Sequence, residues 1–173
     1  MDTFFCITHP KGIIRATGED AEDYLQSQWS INLRKLKIGD IRYGLRLSTK
    51  GKVMADSYFL RLDKEEFLLI SKECEANDLL HLLKENIVAD EIEFINESKN
   101  WKLIAYWTDD KATPPILTSL EKPEKNGFSK IKNKIIFEDF RVAANTFCVL
   151  TLIEEENNPS TDAKETDFKY LER

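Results

Sequence analysis

Residues 41 to 62 constrain the fold of this chain more than any other segment, because their pattern is that of a β-hairpin. Apolar residues occupy every second position from Ile41 to Leu47, which is typical of a half-buried strand. Ser48 to Gly51 then supplies polar turn residues, the last of them a glycine that can adopt positive φ. Lys52 to Leu62 is predicted to return as the second strand.

The periodicities around this hairpin predict further strands and two helices. Helical spacing of apolar residues occurs twice and short β-like runs occur around it, so the order is β-α-β-β-β-α-β. This order predicts an α+β fold with helices packed on one face of a largely antiparallel sheet. The further strands are predicted at Ile13 to Ala16, Phe67 to Ile70 and Ile92 to Ile95, and the helices from a Thr17 cap to Trp29 and from Ala76 to Leu83.

A polar stretch near residue 98 predicts a division of the chain into two lobes. Residues 1–97 would form the first α+β lobe with the Asp56 hairpin, and residues 98–173 a second, incomplete one. The second lobe is expected to end in a helix capped by Thr161 that carries Phe168 and Leu171. No stop signal follows, so this helix is expected to pack against a missing C-terminal part or another chain.

Composition narrows the class of partner. A net charge of −6 and a pI near 5.1 disfavour nucleic acid and anionic membranes, which both need clustered Lys and Arg. No apolar run approaches the ~20 residues that span a bilayer, and the acid at Asp2 does not suit a signal peptide. We therefore expect a cytoplasmic protein.

The few cysteines and histidines do not predict a metal or catalytic centre. Cys6, Cys74 and Cys148 are far apart and lie in apolar or helical surroundings, so they are predicted to be buried small hydrophobes. The two histidines, His9 and His81, have neither zinc-ligand spacing nor a Ser, Cys or acid placed to form a triad. We expect no metal ligand and assign no catalytic residue.

Asp56 is the most informative single residue, because it is an acid on a strand that is apolar on both faces. Met54 and Tyr58 are its neighbours on the same face. A carboxylate between them needs a hydrogen-bond donor or exposure in a cleft, and such environments are typical of functional acids. The alternative is an Asp that is salt-bridged or exposed at a sheet edge.

Residues around Asp56 complete a candidate ligand site. Lys50 in the turn could attract an anionic ligand tail, although a lysine in a hairpin turn is more often simply solvated. Met54 flanks Asp56 on the same face, and Tyr58 could stack on a flat ring. Tyr43 and Trp29 could do the same, but their spacing favours the core. The predicted ligand-binding set is Asp56, Tyr58, Met54 and Lys50.

Three segments, Arg15 to Gln28, Gly39 to Gly44 and Leu47 to Asp56, resemble the N-terminal part of the YgfZ group of folate-binding proteins. That group is similar to the glycine cleavage T-protein. The resemblance covers roughly residues 12 to 97 and implies a folate-binding domain of the T-protein N-terminal type with tetrahydrofolate as its ligand. The Lys-Gly-Cys signature of the group does not occur in the 173 residues, and if the natural protein has it, it lies beyond Arg173.

The resemblance and the expected C-terminal helix together lead to three functional hypotheses. The first is a tetrahydrofolate-binding YgfZ-like protein that supports the assembly or repair of iron–sulfur enzymes, with Asp56 near the reactive nitrogens of the folate. The second is an aminomethyltransferase, which needs a lipoyl-protein partner and residues beyond this chain. The third is a non-enzymatic interaction domain with a vestigial pocket. As a 173-residue chain, the protein is not expected to act as an enzyme by itself.

Overall fold

The protein is described by a computed structural model that covers residues 2–108, 114, 123–139, 141, 145–154 and 163–166. Secondary structure in these residues is mostly strand, with two α-helices. The strands are β1 (Thr3–Thr8), β2 (Gly12–Thr17), β3 (Ile41–Leu47), β4 (Val53–Asp63), β5 (Glu66–Ser71), β6 (Glu93–Asn96), β7 (Trp101–Thr108), β8 (Phe128–Ile131), β9 (Lys134–Glu138), β10 (Phe147–Leu152) and β11 (Ala163–Glu165). The helices are α1 (Ala21–Gln28) and α2 (Ala76–Lys84), and neither is long and apolar enough to cross a membrane.

The chain forms two compact units, one of residues 10–99 and one of residues 1–9 with 100–173. The first unit has a five-stranded antiparallel sheet in the order β3-β4-β5-β2-β6. Both helices pack on one face of it, which confirms the predicted α+β class. The core on that face is formed by apolar side chains of the sheet and of both helices, among them Ile14, Ala16, Tyr24, Leu25, Phe59, Phe67, Leu69, Leu79 and Leu83.

The predicted hairpin is present as β3 and β4. Gly51 adopts the positive φ of 75° that the turn requires, and the Ser48 N–H donates to the Lys52 carbonyl at 2.8 Å. The register shifts near the turn: Arg46 pairs with Ala55 and Leu47 pairs with Val53, so Met54 lies at a β-bulge. Nearer the centre of the strand, Leu45 pairs with Asp56.

The burial of β3 differs from the predicted alternation. Gly44 and Arg46, expected on the polar face, are buried, whereas Tyr43 and Leu45 are half-buried and Leu47 is 46% exposed. A β-strand presents alternate residues to opposite faces. On the face that carries Gly44 and Arg46, Ile31 of the loop after α1 covers Gly44, and residues of both helices lie beside Arg46. The apolar side of β3 therefore remains open in part.

The start of α1 also differs from the prediction. Thr17 is the last residue of β2, and the residue that precedes the helix is Asp20. The Asp20 carboxylate accepts a hydrogen bond from the Glu91 N–H at 2.8 Å instead of capping its own helix. Gly18 between them has a φ of 140°, which turns the chain sharply from strand to helix.

The second unit has a six-stranded sheet in the order β11-β1-β7-β10-β9-β8. This sheet includes β1, whereas the sequence predicts that residues 1–97 form a single lobe. β1 pairs antiparallel with β7 and parallel with β11. Its sequence, Thr3 to Thr8, is uniformly apolar between two threonines and contains no signal for a particular sheet.

Residues 163–166 are the part of the predicted C-terminal helix that the structure describes. Residues 163–165, expected within the last helix, form β11 and pair with Thr3, Phe4 and Phe5. Phe168 and Leu171 lie outside the described residues, as does the Thr161 cap.

Candidate functional site

A groove of about 480 Å³ lies in the first unit where β3, β4 and the loop after β5 meet. Its lining combines apolar residues of the hairpin with acids of the loop and of α2. The lining residues are Tyr43, Leu45, Val53, Met54, Ala55, Asp56, Glu73, Cys74, Glu75 and Asp78.

Asp56 is a buried carboxylate of this groove, only 5% exposed. The hydroxyl of Ser71, itself fully buried, donates to Asp56 Oδ1 at 2.7 Å. Two longer hydrogen bonds reach it at 3.4 Å, from the Glu73 N–H to Oδ1 and from the Tyr43 hydroxyl to Oδ2. The acid on the apolar strand is thus compensated by hydrogen-bond donors.

The loop after β5 is held in place by the same serine. Ser71 Oγ accepts the Cys74 N–H at 2.9 Å, which folds the chain back before α2 begins. The Ala76 N–H then donates to the Lys11 carbonyl at 3.0 Å. Ser71 therefore fixes both the Asp56 carboxylate and the loop that carries Glu73 and Cys74.

The groove is acidic apart from its apolar rim. Glu73, Glu75 and Asp78 join Asp56 in the lining, and Lys11 Nζ lies 3.9 Å from the exposed Glu73 carboxylate. Such a lining favours ligand groups that donate hydrogen bonds or carry positive charge.

Cys74 is the residue whose placement departs most from prediction. Cys6 and Cys148 are buried as predicted, but Cys74 is half-buried and lines the groove. Burial, followed by the nearby carboxylates of Asp78, Asp56 and Glu75, raises the pKa of its thiol. Cys74 is therefore a neutral, weakly nucleophilic thiol at neutral pH.

Aromatic residues support the groove from one side. The rings of Tyr43 and Tyr58 have centroids 5.1 Å apart at an interplanar angle of 56°. Tyr58 is fully buried, whereas Tyr43, predicted for the core, is half-buried and lines the groove. Trp29 lies in the core as predicted, 4.9 Å from the Phe59 ring.

The four predicted ligand residues are placed differently. Asp56 and Met54 line the groove, Met54 being 49% exposed. Tyr58 packs behind Tyr43, and Lys50 is exposed in the hairpin turn.

The prediction did not include the groove residues from the loop after β5 or from β3. No local pattern identifies Ser71, Glu73, Cys74 and Asp78, because only the pairing of β4 with β5 brings them to Asp56.

The first unit, together with most of the following strand β7, matches a known family. The GCVT N-terminal domain family matches residues 9–107, more than half of the chain. The chain belongs to this family. Its sheet-dominated α+β architecture is that of the T-protein N-terminal domain.

The similar proteins of this family are longer. An aminomethyltransferase of Thermus thermophilus is 34% identical over 79 residues, which are 45% of this chain and 22% of that protein. An aminomethyltransferase of Corynebacterium jeikeium is 26% identical over 127 residues, 71% of this chain and 32% of that protein. The chain thus spans a third or less of these GCVT-family relatives.

A solved structure extends the likeness to both units. The glycine cleavage system aminomethyltransferase T of Bartonella henselae matches 87% of this chain and 42% of its own, with a TM-score of 0.73 and 18% identity. At this identity the match concerns the fold alone.

Proposed function

We propose that the groove at Asp56 binds a reduced folate, tetrahydrofolate, and that Asp56 is the polar anchor of the ligand. The observation that carries the proposal is a buried carboxylate in the lining of an open groove whose rim is apolar. A reduced pteridine is flat and carries several N–H donors, so it matches an apolar rim around an acidic lining that includes the buried Asp56 carboxylate. Membership in the GCVT N-terminal domain family supports this ligand class.

Other groove residues are given supporting roles. Met54 at the rim offers an adaptable thioether surface to a flat ring, and Tyr43, backed by Tyr58, offers an aromatic one. Lys50 in the exposed turn would attract the anionic tail of a folate at longer range, an effect that salt screens. The acidic lining at Glu73 and Asp78 disfavours placing that tail inside the groove.

The test is a titration of the chain with tetrahydrofolate, repeated on Asp56→Asn. The substitution keeps the shape of the side chain but removes the charged acceptor, and charge-assisted hydrogen bonds are worth about 1.5–3 kcal/mol. We therefore expect about tenfold weaker binding or more. Asp63→Asn, an exposed acid on the same strand, is the matched control and should bind like the unchanged protein. Equal affinity of the Asp56→Asn and unchanged proteins would contradict the proposal.

Two cellular roles fit a folate-binding domain of this family. The resemblance to the YgfZ group supports a role in the assembly or repair of iron–sulfur enzymes, and we propose this role first. Deleting the gene should then lower the activity of iron–sulfur enzymes, and a gene carrying Asp56→Asn should restore less of it than the unchanged gene.

The similarity to aminomethyltransferases favours a second candidate, one-carbon transfer from a lipoyl protein to tetrahydrofolate. It predicts transfer from an aminomethyl-lipoyl protein in the presence of tetrahydrofolate by the longest form of the protein that contains this chain. Folate binding without transfer would favour the first role. No folate binding by that longest form would instead favour an interaction domain with a vestigial pocket, to which the predicted C-terminal helix would contribute a docking surface.

A further inference from the structure

We propose that a second groove of the first unit, at Arg46, is a binding site for a small oxyanion, a carboxylate or a phosphate group. This groove has a volume of about 410 Å³ and lies between the helices and the β3–β4 turn. Arg46 lines it but is only 6% exposed. The site does not include Asp56 and does not depend on folate binding, although Met54 lines both grooves.

The guanidinium of Arg46 has unused hydrogen-bonding capacity. Its Nη2 donates to Glu85 Oε2 at 3.3 Å, and its buried Nη1 has no hydrogen-bond partner among the residues that the structure describes. A buried charged donor without an acceptor is costly, since guanidinium groups are normally buried only with all their strong donors engaged. The two η nitrogens of arginine form a fork that matches the two oxygens of a carboxylate or phosphate.

Glu85 binds the Arg46 guanidinium only weakly. Its contact with Arg46 is a single hydrogen bond at the long end of the normal range, and its side chain is 55% exposed. A glutamate on the surface gains little from such a pair. An oxyanion that engages both η nitrogens can therefore displace the Glu85 carboxylate into solvent.

The remaining lining supplies neutral donors for the other ligand oxygens. Ser48 Oγ accepts the Lys52 N–H at 3.1 Å, which leaves its own proton available, and the exposed Thr49 hydroxyl lies next to it in the turn. On the helix side, the Asn86 amide donates to Gln28 at 2.9 Å, so these two side chains are held together at the edge of the groove. One buried cation surrounded by hydroxyls and amides has the chemistry of an oxyanion site.

The experiment follows backbone amides and the Arg46 side chain by NMR during titration with inorganic phosphate and, separately, with acetate at constant ionic strength. We expect saturable shifts at Ser48, Thr49 and Arg46. Saturation by phosphate alone assigns a phosphate ligand, and saturation by acetate alone assigns a carboxylate. Linear shifts that spread over the surface with both anions would overturn the site.

Three variants make the test specific. Glu85→Gln removes the competing carboxylate, and we expect it to tighten binding by about tenfold. Arg46→Met should abolish the saturable shifts, while Arg34→Met, which removes an exposed arginine paired with Asp23, should leave them unchanged. If Arg46→Met does not fold, the titration of Glu85→Gln still tests the oxyanion site. A folded Glu85→Gln protein without saturable shifts for either anion refutes the proposal.

Discussion

At the scale of single residues, the Asp56 carboxylate depends on a partner from another strand. Ser71 is fully buried, donates to Asp56 and accepts from the Cys74 N–H, so one hydroxyl satisfies groups of two elements. A hydroxyl can do this because it both donates and accepts. The geometry of the groove therefore rests on Ser71 as much as on Asp56.

Replacing Ser71 by alanine should destabilise the protein. The change removes the 2.7 Å hydrogen bond to the buried Asp56 carboxylate and the Ser71 acceptor of the Cys74 N–H, and the loss of a buried hydrogen-bond partner costs about 1–3 kcal/mol. Urea denaturation should show a lower midpoint. Ser27→Ala is the matched control, since Ser27 is exposed on α1, and it should shift stability by less than about 0.5 kcal/mol. Equal stability of the two variants would contradict the role of Ser71.

Cys74 should react slowly with iodoacetamide at mildly alkaline pH. Burial and the carboxylates of Asp78, Asp56 and Glu75 raise its pKa, and only the thiolate reacts. Because removing a nearby negative charge lowers the thiol pKa, Asp78→Asn should move the pH midpoint of alkylation downward and speed the reaction at a given pH.

Mass spectrometry of peptides separates Cys74 from the buried Cys6 and Cys148. Asp63→Asn, on a distant part of β4, is the control for a general change in net charge. A rate in Asp78→Asn that matches the control would mean that Asp78 does not act on the thiol.

The site could be predicted from sequence only in part. An acid within an apolar strand is a local anomaly, so Asp56 was identifiable without any tertiary information. Cys74 is not anomalous locally, and it reaches the groove through a hydrogen bond to Ser71. Tyr43 belongs to an alternating strand whose open and covered faces the pattern does not distinguish.

At the scale of elements, two glycines permit close approaches for different reasons. A Cβ at Gly44 of β3 would overlap the Cγ2 atom of Ile31, a side-chain atom. A Cβ at Gly18 would overlap the backbone carbonyl of Glu91, and its φ of 140° is also unfavourable for other residues. The first clash can be relieved by repacking, and the second cannot.

We expect Gly44→Ala to cost about 1–3 kcal/mol of unfolding free energy, the range for overpacking a tight site. Gly18→Ala should cost more, because backbone atoms must move and the turn is strained. Thermal or urea unfolding of a double-mutant cycle with Ile31→Ala separates the causes. Ile31→Ala should restore part of the unfolding free energy lost in Gly44→Ala, but none of that lost in Gly18→Ala. Restoration in both variants, or in neither, would contradict this explanation.

The predicted elements were most accurate where the information is local. The turn at Ser48 to Gly51 and the start of β4 follow from turn chemistry within a few residues. The sequence predicts Thr17 as the cap of α1, but the residue before the helix is Asp20. Thr17 still pairs with Glu66 and Glu93 in the sheet. Sheet pairing overrode a local capping preference there.

At the scale of the whole molecule, the two units shift the pKa of different ionisable groups. The first unit pairs Arg15 of β2 with Glu97 and Glu66, and these contacts raise the pKa of the guanidinium. In the second unit, burial raises the pKa of Tyr106 on β7 to about 12. A phenol buried in its neutral form stabilises the folded state as long as it stays protonated.

Tyr106 should make the protein less stable at strongly alkaline pH. Its pKa in the folded protein, about 12, lies above the unfolded value of about 10. The contribution of Tyr106 is therefore fully present below pH ~10 and is lost as the pH rises towards about 12. Ultraviolet titration of the folded protein should show a late-ionising tyrosine that is missing in Tyr106→Phe. The unfolding free energy of Tyr106→Phe should also fall less than that of the unchanged protein as the pH rises from ~10 towards about 12. If the late ionisation persists in Tyr106→Phe, it belongs to another tyrosine.

Sequence alone determined the α+β class, the hairpin with its Gly51 turn and the exceptional position of Asp56. Alternation, turn chemistry and a polar residue in an apolar strand are all properties of neighbouring residues. Tertiary structure decided which sheet holds β1, which face of β3 is covered, and which side chains meet Asp56 and Arg46. Those outcomes depend on strand order and register between residues far apart in the chain, and a shift of one residue in register would reverse every face.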